Sequence, residues 1–370
     1  MNSIQAVQEL GQSIWMDYIR RGMLVSGEFQ KMVEQGISGV TSNPTIFQKA
    51  ITGSTDYDEA LKPFVGSQKK PIEIFESLAI DDIRSATDIL RPVYDRTSGA
   101  DGFVSLEVDP TLAYDTENTI REARRLFKAI DRPNLMIKVP GTPEGMPAVR
   151  QLISEGININ VTLLFSLDLY AQAREAYVAG LEKLAKDGGD LSRVASVASF
   201  FVSRIDTAVD SELNRKIDQG RQDLKPLLGG TAIASAKLAY QAFKDTFESD
   251  RFNAMKSKGA TVQRPLWAST STKNPDYSDV IYVEPLIGPD TVNTLPLDTI
   301  DAFMDHGKAA LTIEDDVDKA RQQISSIESE GISMETVTDK LMVDGVKAFA
   351  DSFENMLAGI EEKMAKLAGG

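Results

Sequence analysis

Eight apolar, strand-like runs recur along the chain with helical patterns between them, the alternation expected of βαβ units that feed a parallel sheet. The runs centre on residues 13–17, 37–41, 103–108, 135–139, 157–165, 194–202, 265–270 and 280–286. Eight parallel strands joined by helices can close on themselves, so the pattern predicts an α/β fold: a single (β/α)8 TIM barrel with extra helices. At 370 residues the chain is long enough for one such barrel with insertions, and residues 1–370 are read as one domain of that kind. The longest interval between strands, about 205–263, exceeds what one crossover helix needs. It is expected to hold two or more helices as an excursion.

The intervening segments carry their own start and stop signals. Ser26 can cap a helix that stops at Gly36, and residues 72–94, 117–130 and 167–184 have apolar side chains at helical spacing. From Ser333, read as an N-cap, positions Val337, Leu341, Val346, Phe349, Phe353, Leu357, Ile360 and Met364 keep one apolar face, which predicts a C-terminal helix packed on the barrel. The acidic cluster Glu314, Asp315 and Asp316 suits a helix N-terminus.

Composition removes whole classes of chemistry. The chain has no cysteine, so it cannot form disulfides, a thiol nucleophile or a thiolate metal site. Its one histidine, His306, precludes paired-histidine metal sites and falls where a helix should end, as a surface or capping residue. The first fifteen residues lack the basic and apolar pattern of a signal peptide, so a cytoplasmic setting is expected. A net charge of −15 gives an overall field that repels nucleic acid, anionic membranes and phosphorylated metabolites alike. Any anionic substrate would therefore need local basic residues.

Within the fourth run a lysine interrupts unbroken apolar sequence: Leu135, Met136, Ile137, Lys138, Val139, Pro140. Burial disfavours an ammonium and leaves more of the nucleophilic amine, which makes such a lysine a Schiff-base candidate; the plain alternative is a lysine at a strand end paired with a carboxylate. Strand parity separates the two faces. In the fifth run Ile157, Ile159, Val161 and Leu163 share the face suited to helices, and Asn158, Asn160 and Thr162 share the inner one. By the same rule Asp17, Asn43, Glu107, Lys138, Asn160, Thr162 and Ser199 project inward near the C-terminal ends of strands, where barrel enzymes keep their sites. One amine, two carboxylates and several neutral hydrogen-bonding groups, without metal-ligand spacing, fit carbonyl chemistry through an imine.

At these residues the chain resembles the transaldolase family. The runs Thr41-Ser42-Asn43-Pro44, Ser105-Leu106-Glu107-Val108-Asp109, Met136-Ile137-Lys138-Val139-Pro140 and Asn160-Val161-Thr162-Leu163-Leu164-Phe165-Ser166 occur in the family's order, followed by Ser199-Phe200-Phe201-Val202-Ser203-Arg204. The resemblance implies a class I, metal-free and cofactor-free transfer of a dihydroxyacetone unit from sedoheptulose 7-phosphate to glyceraldehyde 3-phosphate, giving erythrose 4-phosphate and fructose 6-phosphate. It assigns Lys138 as the imine lysine, Glu107 as an acid/base acting through a water, Thr162 as the residue orienting that water, and Asp17 as the carboxylate that takes and returns the C4-hydroxyl proton. Asn43 and Asn160 match positions that bind the dihydroxyacetone hydroxyls. Ser199 and Phe201 match the channel lining, and Arg204 matches the first phosphate arginine. Near the second phosphate position the chain reads Ser271-Thr272-Lys273-Asn274, so Lys273 stands where an arginine is common and would be a point-charge contact.

The length of 205–263 is similar to a longer subfamily, related to the transaldolase part of fused transaldolase/glucose-6-phosphate isomerase proteins. Two alternatives stand beside transfer. One is a related aldolase that cleaves fructose 6-phosphate and releases free dihydroxyacetone, a group that resembles this chain at the lysine strand but is shorter and lacks the glutamate. The other is a silent barrel that only binds sugar phosphates.

Overall fold

In the computed structural model, which describes residues 2–369, eight parallel strands close in chain order. They are β1 (Gln12–Met16), β2 (Val40–Thr41), β3 (Val104–Glu107), β4 (Leu135–Pro140), β5 (Ile159–Leu164), β6 (Ser196–Phe201), β7 (Gln263–Ala268) and β8 (Thr291–Leu295). β8 returns to β1 with Gln12 opposite Thr291 and Met16 opposite Leu295, so the sheet has no free edge. Apolar side chains fill the space between the strands and the surrounding helices, with Trp15, Trp267, Phe200 and Tyr170 among the largest fully buried groups.

Seven predicted strands overlap observed ones, and the eighth does not. Residues 280–286 form turns and a 3-10 helix, Glu284–Leu286, while the strand lies further on at Thr291–Leu295. The physical reason is the spacing of the buried residues: Val280, Val283 and Leu286 are three apart, and the Val283 and Leu286 amides donate to the Val280 and Val283 carbonyls. The segment covers the outside of the barrel, where its backbone accepts bonds from strand side chains. Leu286 O takes Gln12 Nε2 (2.6 Å) and Trp267 Nε1 (3.1 Å), and Tyr282 O takes Asn293 Nδ2 (3.1 Å). The true β8 reads polar because Thr291, Asn293 and Thr294 are buried but hydrogen-bonded.

The helix expected from Ser26 is also redrawn. Gly27 takes φ +79°, ends the helix Arg21–Ser26 and starts a second, Glu28–Glu34, so Ser26 closes one helix while Gly27 holds the N-cap position of the next, whose first amide, that of Glu28, donates to Ser26 Oγ at 3.4 Å. Helices Pro71–Arg96, Thr116–Ile130 and Leu167–Lys186 contain their predicted segments. The excursion holds Ser203–Asp218, Thr231–Phe247 and Asp250–Lys256, with a 3-10 segment Gln222–Leu227. It is tied to the 280–286 segment by Tyr282 OH donating to Asp206 Oδ2 (2.9 Å). The acidic cluster precedes the helix Val317–Ser329, and His306 ends the helix Leu297–His306 with its Nε2 2.9 Å from Asp279 Oδ1.

The last helix, Met334–Gly369, lies against Pro44–Gly53, the helix that follows β2. Ser333 caps it by accepting from the Thr336 amide. Phe353 meets Phe75 edge-on at 5.7 Å, Thr45 Oγ1 donates to Ser352 Oγ (2.9 Å), and Lys363 reaches Asp58 Oδ1 (2.6 Å). Its apolar face is thereby drawn over the C-terminal mouth of the barrel, with Val346, Phe349, Phe353 and Ile360 buried. Among the described residues no helix is long and apolar enough to cross a membrane.

Candidate active site

Register aligns the reactive groups. Glu107 of β3 is opposite Lys138 of β4, and Lys138 is opposite Asn160 of β5, so three adjacent strands present one inward row near their C-terminal ends. Above this row opens a cavity of about 360 Å³, whose wall includes Lys138, Asp17, Asn43, Thr162, Ser199 and Phe201. Arg204 and Lys273 line it as well.

Lys138 is 4 % exposed. Its Nζ donates to the Ser42 carbonyl at 2.9 Å and stands 3.3 Å from Glu107 Oε2. The amine is thus held from two sides while its cavity side stays open to a carbonyl. Pairing with a carboxylate and imine chemistry are therefore compatible here. Glu107 does not line the cavity but sits behind the lysine. Burial pushes its carboxyl above the usual glutamate range, against the lowering pull of Lys138. Asp17 follows β1, accepts from Thr41 Oγ1 at 2.6 Å, and is likewise raised, chiefly by desolvation. Two carboxyls that hold protons above the ordinary range, beside one amine, can supply and withdraw protons around a reacting carbonyl.

Thr162 Oγ1 is buried and without a hydrogen-bond partner among the described residues. An orphan hydroxyl on a cavity wall is a place for a water or a substrate oxygen. Its setting departs from regular alternation. Leu163 takes φ +61°, the β5–β6 register shifts between Val161 and Leu164, and the Leu163 side chain meets the last helix at Gly345. Leu163 is therefore not one more member of the Ile157, Ile159, Val161 face, because a bulge breaks the period of two. Ser269, directly after β7 and also on the cavity wall, has φ +54°. Two of the six non-glycine residues in the left-handed region among the described residues, Leu163 and Ser269, thus flank this site.

Asn160 is fully buried and lies below the wall. Its Nδ2 donates to Ser105 Oγ (3.1 Å) and its Oδ1 accepts from Ser199 Oγ (2.7 Å), so it meets the cavity through Ser199. Asn158, the inward residue before it, ties β4 to β6 at the opposite end by donating to Pro133 and Leu135 carbonyls and accepting from the Ala195 amide. Asn43 lines the cavity and also caps Pro44–Gly53, its Oδ1 accepting from the Ile46 amide at 2.9 Å. Phe201 carries the Arg204 guanidinium 5.5 Å from its ring centre.

Arg204 makes no ion pair among the described residues. Desolvation and the neighbouring charges of Arg204 and Lys49 depress the Lys273 ammonium. Of the wall residues that the sequence reading did not assign to the site, Lys49 and Phe349 bear most on its chemistry. Lys49 sits on the helix capped by Asn43, on one face with Thr45 and Ile46, which also line the cavity; that i, i+4 spacing from a capped start was the available signal. Phe349 belongs to the apolar stripe of the last helix, where nothing local distinguishes a packing ring from a lining one. Its ring centre lies 5.9 Å from Lys138 Nζ.

A strand-borne buried lysine with a carboxyl beside its amine, at the C-terminal mouth of a (β/α)8 barrel, defines the class of barrels built for imine chemistry. The model of one family, described as Transaldolase/Fructose-6-phosphate aldolase, matches residues 14–360. The chain is 50% identical over 376 residues to a protein named Transaldolase 2 from Nostoc punctiforme, covering 99% of each chain. It is 48% identical to a Transaldolase from Trichodesmium erythraeum, covering 99% of this chain and 98% of that one, and 48% identical to a Transaldolase from Thiobacillus denitrificans, covering 97% and 100%. The chain belongs to the transaldolase/fructose-6-phosphate aldolase family.

Proposed function

We infer that the chain is a transferase that moves a dihydroxyacetone unit from sedoheptulose 7-phosphate to glyceraldehyde 3-phosphate, one barrel domain acting through an imine on Lys138. The observation that carries the reading is the Lys138 amine 3.3 Å from a buried carboxyl and open to a cavity that also holds Asp17.

The ε-amine attacks the donor ketone at C2. Glu107, through a water oriented by Thr162, donates the proton that lets the carbinolamine lose water, leaving a protonated imine. Asp17 takes the C4-hydroxyl proton, the C3–C4 bond breaks, and its electrons pass into the imine to form an enamine as erythrose 4-phosphate leaves. The enamine carbon then attacks the aldehyde of glyceraldehyde 3-phosphate, Asp17 returns its proton to the new oxygen, and hydrolysis frees fructose 6-phosphate. Asn43 and the Asn160–Ser199 pair hold the hydroxyls of the three-carbon unit. Arg204 and Lys273 take the phosphate, with Phe201 lining the approach. Phosphorylated sugars as substrates suit a cytoplasmic setting.

Trapping tests the reading directly. Incubation with fructose 6-phosphate and borohydride should add a reduced dihydroxyacetone unit to Lys138, located by peptide mapping. No adduct, or one on another lysine, would overturn the assignment. The family description also includes fructose 6-phosphate cleavage. Rapid release of free dihydroxyacetone without an aldehyde acceptor would select that reaction over transfer.

A further inference from the structure

The cavity wall carries four cations, Lys49, Lys138, Arg204 and Lys273, against one carboxylate, Asp17. The whole chain, by contrast, has net charge −15. Lys138 is occupied with Glu107 and Ser42, which leaves three cations at the other part of the wall. Among the described residues Lys49 and Arg204 form no ion pair, although surface basic residues elsewhere in this acidic chain commonly do, as Lys244, Arg251 and Lys347 show. Like charges gathered without a counter-ion repel one another and are stabilised together by an arriving anion.

We propose that Lys49 is a third cationic contact for the substrate phosphate and helps to set the preference for phosphorylated over unphosphorylated sugars. The inference rests on the reading of this cavity as a sugar-phosphate site and adds to it a residue from a different element. Lys49 is fixed by the helix Pro44–Gly53, whose start is capped by Asn43 and whose outer side is held by the last helix. Arg204 projects from the start of Ser203–Asp218, and Lys273 from the loop after β7. The three charges thus come from three separate supports. A lysine at the second phosphate position gives one point charge without a fork, and a second point charge from Lys49 restores the lost attraction without needing guanidinium geometry.

The test compares glyceraldehyde 3-phosphate with glyceraldehyde as acceptors, sedoheptulose 7-phosphate being the donor and released erythrose 4-phosphate the readout, in the full chain and in Lys49→Gln, Lys49→Arg and Arg204→Gln. Lys49→Gln should lower the ratio of kcat/KM for the phosphorylated over the plain acceptor by roughly 10-fold, through KM, and weaken inhibition by inorganic phosphate in parallel. Lys49→Arg should recover most of the ratio. An unchanged ratio in Lys49→Gln while Arg204→Gln loses it would overturn the role of Lys49 alone. An equal loss on both acceptors would assign Lys49 to structure and overturn the proposal too. An unchanged ratio in both glutamine variants would instead overturn the placement of phosphate at this part of the cavity.

Discussion

Glu107 Oε2 lies 3.3 Å from Lys138 Nζ, and neither Glu107 oxygen has another partner among the described residues. The carboxyl is therefore tuned upward chiefly by burial, downward by one amine, and upward again by the charge of Asp17. Its raised pKa keeps the acid form to higher pH than a free glutamate, so the step that needs this proton should fail on the alkaline side. Glu107→Gln keeps the volume and removes the proton. Turnover should drop by roughly 100-fold or more and the alkaline limb assigned to this group should vanish from the kcat profile. A limb that survives unchanged belongs to another residue.

Lys138→Arg retains the positive charge beside Glu107 but has no primary amine. Steady-state assays should find no turnover, and borohydride should leave the protein unlabelled. Lys138→Met, which keeps a similar length in the buried site, should give the same result. Substantial activity in either variant would sink the imine mechanism.

Thr162→Val exchanges an orphan hydroxyl for a methyl of similar shape. The hydroxyl has no protein partner to lose, so the variant should stay within about 1 kcal/mol of the parent in urea unfolding. Its kcat should nonetheless fall by roughly 10-fold or more, since the water serving Glu107 loses its anchor. A stable, fully active variant would remove Thr162 from the machinery.

Phe349 covers Lys138 from the last helix. Phe349→Ala should cost about 3 kcal/mol or more of stability and open the cavity to water. The expected signature is partitioning: free dihydroxyacetone released per sugar transferred should rise, as seen by product chromatography at fixed acceptor. A constant ratio would limit Phe349 to packing.

Asp206, on the helix Ser203–Asp218, is pushed up to a pKa of about 6, mainly by burial, from the ordinary 3.8. A carboxyl with a raised folded-state pKa favours folding when protonated. That contribution is complete below pH 3.8 and is lost as pH rises through about 6. The difference corresponds to about 3 kcal/mol. Asp206→Asn keeps an acceptor for the Ala232 amide and reverses the Tyr282 contact, its amide nitrogen donating to the phenol oxygen where the carboxylate oxygen accepted. Relative to the parent it should gain stability between pH 4 and 7, measured by denaturant unfolding across that range. A parallel pH profile in the two proteins would show that Asp206 is not the titrating group.

Much of the site was legible locally. Lys138 stood out because a charge in an apolar strand is anomalous, and parity carried Glu107 and Asn160 to the same side because parallel strands in register share a face. Parity failed at Leu163, where a bulge aims the side chain at the last helix. Parity also does not separate wall from sub-wall: Asn160 is fully buried and accepts from Ser199, which lines the cavity. The run 280–286 misled for a related reason: apolar composition reports burial, and only the spacing of three shows that burial comes without a ladder.

By itself the sequence determined the number of crossovers, the inward row on β3 to β5 and the lysine at its centre, because these follow from periods of 2 and 3.6 residues within short segments. Only the tertiary structure decided that Lys49 and Phe349 join the site. The spacing of Lys49 from the capped start of its helix gives its face but not what that face meets, and the apolar stripe that holds Phe349 is satisfied equally well by packing or lining. Their placement depends on how the last helix crosses the mouth of the barrel and holds Pro44–Gly53 against it, a contact between segments about three hundred residues apart that no local period encodes.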